Sequence, residues 1–263
     1  MTVKTGILKE LLNSVVKDQI EVVDLAQVLN ENTPVIQLPE PNANTGGFKF
    51  KQLSKYDETG QDCYWNDFVA GEHVGTHFDA PIHWVTGKDN DSVDQIPMKN
   101  MIGEAYVIDI REKVKQNPDY CLTVEDIKDF ESQYGQIKSH SWVLIHSGWS
   151  KHIEDHEKFY NIGEDGWPHT PGMTKEAAVF LVEQRDVLGA GVETVGTDAG
   201  MAASFDPPLP CHHYFIGANK YGLAQLTNLD KLPPTGSVLV VNPLKIENGS
   251  GSPVRVIALV EKI

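Results

Sequence analysis

The stretch Gly71-Glu-His-Val-Gly-Thr-His-Phe-Asp-Ala-Pro-Ile-His-Trp84 places three imidazoles (His73, His77, His83) and one carboxylate (Asp79) within eleven residues. Few local conformations can carry that density of donors. All four stand at odd positions, so an extended segment would direct them to one side. A straight strand, at ~3.3 Å per residue, would still leave His73 and His77 ~13 Å apart, too far to chelate one ion. A helix could align the two, but Gly75-Thr76 and Pro81 oppose one. Gly75 offers a bend instead, because it has no side chain and a permissive backbone. The spacing predicts a bent loop leaving a strand, with His73, His77 and Asp79 facing a single ion. Two neutral imidazoles and a carboxylate, with no thiolate, suit Mn, Zn, Fe or Ni. Three protein ligands leave positions open, as catalysis requires. Such an ion can polarise a carbonyl and acidify a bound water.

The run His73-x-Gly-Thr-His-x-Asp-x-Pro-x-His83 resembles, without a gap, the signature of the cyclase-like metal-dependent hydrolases, the family of bacterial kynurenine formamidases. The longer stretch Gly71 to Asp89 is similar to the isatin hydrolase branch of that family. So are Gly196-Thr-Asp-Ala-Gly200, Asn228-Leu-Asp-Lys-Leu-Pro233, Pro243-Leu-Lys-Ile-Glu247 and Gly251-Ser-Pro253. The resemblance covers nearly the whole chain and fades only over roughly the first twenty residues. It implies an α/β protein with the swivelling β/β/α cyclase-like fold, dimeric or larger.

The resemblance also implies chemistry. His83 becomes the general base, a role that an unperturbed imidazole pKa of about 6.5 suits. The implied reaction is attack of water on the lactam carbonyl of isatin (indole-2,3-dione), opening this small aromatic cyclic amide to isatinate. Trp65 and Trp84 are candidate walls for a flat ring. Two other readings stand beside this one: an N-formylkynurenine (aryl) formamidase, and a metal-binding protein without turnover. The complete ligand set, with His83 beside it, argues against the last. No Gly-rich phosphate loop, GxSxG elbow or cysteine nucleophile competes.

One departure bears on the metal count. Formamidases of the family hold a second metal partly through a His and through a Glu twelve residues later, in a Glu-Asn-Leu-x-Asn-Leu run. His212 is kept here, but the run reads Ala224-Gln225-Leu226-Thr227-Asn228-Leu229. Without the carboxylate, two dications a few ångströms apart would repel strongly. The expectation is one divalent metal per chain, manganese with zinc as the alternative. His212 and Gln225 are then left for substrate binding. His146, His169, His213 and Asp198 receive no role.

At 263 residues the chain can bury a sizeable core, and one domain spanning 1–263 is expected. The formal net charge of −15 disfavours nucleic acid and anionic membranes as partners. Cys63, Cys121 and Cys211 are too few and scattered for a disulfide framework, and Cys63 and Cys211 read as small buried hydrophobes. No apolar run approaches the ~20 residues of a membrane span. The start lacks a signal peptide's apolar region, so a cytoplasmic protein is expected.

Along the chain, Thr5 opens a helix at about 5–17 with Ile7, Leu8, Leu11, Leu12, Val15 and Val16 on one stripe. That stripe packs on its own domain or on a neighbouring subunit. Strands are expected at 20–25, 64–70, 105–110, 142–147, 192–196, 238–241 and 254–260. Phe48 and Phe50 read as core. Thr123 caps a helix that Gly135 stops, and Thr174 caps another. Residues 151–166 read as a surface helix and loop, and 248–252 as a Gly/Ser turn. The strands are β-branched and contiguous, so the sheet is expected to be mixed and buried, with helices flanking it.

Overall fold

The computed structural model describes residues 6–38 and 40–262. Its centre follows from the most apolar segments. β5 (Ile102–Asp109) and β7 (Trp142–His146) pair in parallel, and β7 is buried along its whole length. Continuous apolar runs belong in strands covered on both faces. β9 (Gly189–Val192) and β10 (Tyr221–Ala224) extend this parallel block. On one side the sheet continues antiparallel through β11 (Ser237–Val240), β13 (Ile257–Glu261) and β1 (Ile20–Asp24). On the other side it ends in β4 (His77–Asp79) and β12 (Gly251–Pro253), also antiparallel. The nine-stranded sheet therefore runs β1-β13-β11-β5-β7-β9-β10-β4-β12 and is mixed, as expected.

Period-2 alternation divides the side chains between two cores. Phe78, Trp142, Leu144, Leu223 and Leu239 fill one face. Val143, Ile145, Ala224 and the helical Ile127, Phe130, Ala177 and Leu181 fill the other. The helices of that second layer begin where the capping residues sit. Thr123 and Asp126 form a reciprocal capping box at the start of α3 (Val124–Tyr134), and Gly135 ends it at φ +91°. Short helices α2 (Arg111–Gln116) and α4 (His156–Tyr160) flank the same region. Thr174 caps α5 (Lys175–Val179), which continues as one π-turn over 180–184. A two-stranded pairing of β6 (Cys121–Leu122) with β8 (Gly172–Met173) completes the layer.

Several expectations need correcting. The strand expected at 192–196 lies earlier, at Gly189–Val192, and β10 was not foreseen. Both are rich in Gly and Ala, which carry little strand propensity and are held by their neighbours. The strand expected at 64–70 is one arm of a ribbon, β2 (Lys49–Asp57) with β3 (Gly60–Val69), interrupted by two register shifts. Of its residues only Ser54 is buried, so Phe50 is exposed rather than core, and so is Cys63. Cys211 is buried as expected. Helix α1 (Ile7–Val16) buries none of its stripe against the described residues. Its expected cap, Thr5, lies outside them.

Candidate metal centre

The imidazole-rich segment reaches the sheet through a turn rather than a straight approach. Gly75 takes φ +65°, a left-handed conformation that costs glycine little. The bend carries His73 back over β4, and the strand then directs His77 and Asp79 to one face while Phe78 enters the opposite core. β4 lies between two strands in fixed register. Ala224 and Pro253 flank His77, and Gly222 and Gly251 flank Asp79.

The result is a tight cluster. His73 Nδ1 lies 2.8 Å from Asp79 Oδ1, and His77 Nε2 lies 3.5 Å from the same oxygen. The backbone carbonyl of Gly75 accepts from His77 Nδ1 at 2.7 Å, which leaves Nε2 bare and facing Asp79. His83, on the 3₁₀ turn Pro81–His83, stacks on His73 with centroids 3.9 Å apart. Donor atoms of His73, Asp79 and His83 lie within 4.8 Å of one another. The His83 ring makes no hydrogen bond among the described residues, whereas the bond to Gly75 fixes His77. A divalent ion fits this donor set, with N and O ligands around one buried carboxylate.

The electrostatics follow from burial among opposing charges. Burial alone would raise the Asp79 carboxyl, but the imidazoles of His73, His77 and His83 around it hold it below the usual range. Burial pushes His77 down, against the pull of Asp79. It likewise pushes His83 down to about 3, again opposed by Asp79 and reinforced by the imidazoles of His73, His212 and His77. Both rings are therefore neutral at ordinary pH and able to offer a lone pair.

His212 completes the near side. It begins the π-turn His212–Ile216, and its Nε2 stands 3.9 Å from Asp79 Oδ2. Its Nδ1 lies 2.6 Å from Asp198 Oδ2, and the Asp198 carboxylate also accepts the backbone N–H groups of Cys211 and His212. Burial lowers the His212 pKa, but Asp198 and then Asp79 outweigh it and hold it above its ordinary value. Trp84 packs 5.1 Å from the His212 ring and 6.4 Å from His83.

The other expected site residues lie elsewhere. Trp65 stands on β3 opposite Ser54, 60% exposed, and joins none of these rings, because the strand that carries it leaves the sheet as a ribbon. Gln225 is fully buried with φ +53°, and its Nε2 donates to Pro34 O beneath the 33–36 segment. Two residues escaped the sequence reading. Asp198 lies in the matched Gly196–Gly200 segment, and its spacing to His212 carries no signal. Ser250, whose Oγ lies 3.0 Å from His73 Nε2, belongs to what reads as an ordinary turn. A surface groove of about 900 Å³ between 27–34 and 153–156 is lined by none of the clustered side chains.

Comparison with known proteins gives a consistent picture. Residues 23–199 match the family model described as putative cyclase. The chain is 43% identical over 247 residues to the isatin hydrolase of Roseibium aggregatum, covering 93% of each. Similarity to the kynurenine formamidase of Salinibacter ruber is lower, 26% identity over 70% of this chain and 74% of that one. A crystal structure of an isatin hydrolase bound to the product analogue thioisatinate superposes with a TM-score of 0.96 at 40% identity. It covers 99% of this chain and 100% of that one.

Proposed function

The chain belongs to the putative-cyclase family, and from that premise we propose that it is a hydrolase opening the lactam ring of isatin to isatinate. The observation that carries this reading is the full-length likeness to isatin hydrolases, joined to a His83 that stacks on the cluster of His73, His77 and Asp79 with no hydrogen bond to its ring among the described residues. His73, His77 and Asp79 would hold one divalent metal, for which manganese is our first choice and zinc the alternative. When bound, such an ion supplies Lewis-acid polarisation of a carbonyl and lowers the pKa of water.

The protein's own groups do the rest. His83, neutral and with no hydrogen bond to its ring among the described residues, accepts a proton from the attacking water. The water oxygen bonds to the lactam carbonyl carbon and the C–N bond breaks. The proton held by His83 passes to the departing nitrogen, and the remaining water proton leaves with the new carboxyl group. His212, fixed through Nδ1 by Asp198, presents Nε2 for a hydrogen bond to substrate or product. Trp84 forms a wall beside it.

The chain acts as one unit over residues 1–263, in the cytoplasm, without nucleic-acid or membrane partners. No described helix is long and apolar enough to cross a bilayer. We read it as a homodimer or larger. The β2–β3 ribbon supports this, since Phe50, Trp65, Phe68 and Val69 are exposed on a hairpin that has little to stabilise it alone.

Incubation of the purified protein with isatin and, separately, N-formylkynurenine, followed by absorbance, tests the reading. Turnover of isatin is expected. Turnover of N-formylkynurenine alone would make the protein a formamidase, and turnover of neither would make it a metal-binding protein.

A further inference from the structure

We infer that Glu72 and Ser250 are positioning residues that fix the tautomer of His73 and so decide which of its nitrogens meets the metal. The inference rests on the proposal that His73 is a ligand. Ser250 Oγ lies 2.5 Å from Glu72 Oε2 and 3.0 Å from His73 Nε2. The Ser250 backbone N–H also donates to Glu72 Oε2, at 3.3 Å. A carboxylate only accepts, so the single hydroxyl proton of Ser250 points at Glu72. The serine oxygen then offers His73 a lone pair, and His73 Nε2 must bring the proton.

With Nε2–H committed to Ser250, His73 turns the lone pair of Nδ1 toward Asp79 Oδ1, 2.8 Å away. Two acceptors at that distance repel unless a positive charge lies between them, and that is where a cation fits. His77 reaches the same end by a different means, through the carbonyl of Gly75. Outer partners of this kind set the orientation and basicity of ligating imidazoles, and losing one costs about 10- to 100-fold in metal affinity. The link also ties the segment before β12 to the turn before β4, across 177 residues of sequence.

The test uses the full-length protein as wild type, Ser250→Ala, Ser250→Thr and Glu72→Gln. Mn²⁺ affinity is measured by chelator competition, and the His73 tautomer of the metal-free protein by ¹⁵N imidazole spectra. Wild type is expected to show a protonated Nε2 at His73. Ser250→Ala should lose that fixed tautomer and bind Mn²⁺ about 10- to 100-fold more weakly. Ser250→Thr, which keeps the hydroxyl, should restore both. Glu72→Gln, which keeps an acceptor but not the charge, should fall between, and it decides the matter if Ser250→Ala does not fold. Wild-type tautomer and wild-type affinity in both Ser250→Ala and Glu72→Gln would overturn the inference. Wild type that binds no Mn²⁺ would sink the metal proposal instead, and the tautomer spectra would still judge this one.

Discussion

Gly251 stands directly across from Asp79 where β12 pairs with β4, and its missing side chain leaves the space that the His73 ring fills. A Cβ built at Gly251 would lie 2.4 Å from His73 Cε1 and 2.5 Å from the carbonyl oxygen of Phe78. Gly222, on the other flank, is as confined, since a Cβ there would lie 2.6 Å from Asp79 Oδ2. The carboxylate thus sits between two glycines, which admit one imidazole from above and leave the acid free to turn. Neither glycine is needed for a positive φ; each is needed for room.

Gly251→Ala should therefore displace His73 and push β12 locally away from the Phe78 carbonyl on β4. We expect metal affinity to fall at least about tenfold, as when the support of a ligand is lost, with circular dichroism unchanged. Chelator competition gives the number. Affinity equal to wild type would mean that His73 is not a ligand or that β12 yields without cost.

His77→Ala and His83→Ala should separate ligand from base. The first is expected to lose metal and turnover together. The second should keep its metal and lose about 10²- to 10⁴-fold in kcat, the usual worth of a positioned base. Metal analysis alongside steady-state rates decides it. Because His83 also lies within ligand distance of His73 and Asp79, loss of metal in His83→Ala would move it into the ligand set.

Much of this centre was legible because it is local. The donors from His73 to His83 fall in one stretch, and the need for a bend at Gly75 follows from strand geometry alone. What could not be read is long-range. Gly222 and Gly251 meet the cluster through sheet register, and Asp198 and Ser250 through side-chain contacts from loops far along the chain, to which no local pattern points. Strands made of Gly and Ala, such as β9 and β10, hide for the same reason: their neighbours, not their propensities, hold them extended. Trp65 shows the converse within its own chain. An aromatic residue near the motif in sequence was carried away by a ribbon whose independence from the sheet no periodicity announced.

Ala224 pairs with His77 in the β10–β4 register, so its methyl group lies on the same face as the ligands. A carboxylate at that position would supply the negative charge that a second dication needs. Protein purified without chelator should carry one metal per chain by elemental analysis, and Ala224→Glu should carry two. Two tightly held ions in wild type would refute the single-metal proposal and favour formamidase chemistry.

Acid sensitivity follows from the buried imidazoles. The folded-state pKa of His83 lies near 3, well below its ordinary 6.5, and that of His77 is lowered as well. Over that interval these two rings bind more protons in the unfolded chain than in the native one, so their contribution to stability is full above about pH 6.5 and is lost as pH falls toward 3. Thermal unfolding of metal-free protein across this range should show the decline. His83→Ala should show a shallower slope, and an unchanged slope would assign the effect to other groups.

Glu193 makes the last prediction, and it concerns stability rather than chemistry. It is almost fully buried just past β9 and forms no salt bridge among the described residues. Instead its carboxylate gathers donors from the end of β7. Oε2 accepts from Ser147 N, Ser147 Oγ, Gly148 N and Trp149 N, and Oε1 accepts from Ser150 Oγ. Three of these are backbone N–H groups on a segment that no strand pairs, and Glu193 stands in for the missing ladder. Glu193→Ala would orphan Ser147 N and Gly148 N, each at about 1–3 kcal/mol, and leave Trp149 N only Ser147 Oγ, 3.3 Å away; we expect a total loss of about 3–5 kcal/mol after local relaxation. Glu193→Gln keeps one oxygen where Oε2 stands, and should lose only about 1–2 kcal/mol. Urea titrations with an unchanged slope and a lower midpoint would report this directly. An alanine variant as stable as the glutamine one would show that water, rather than the carboxylate, satisfies the β7 terminus.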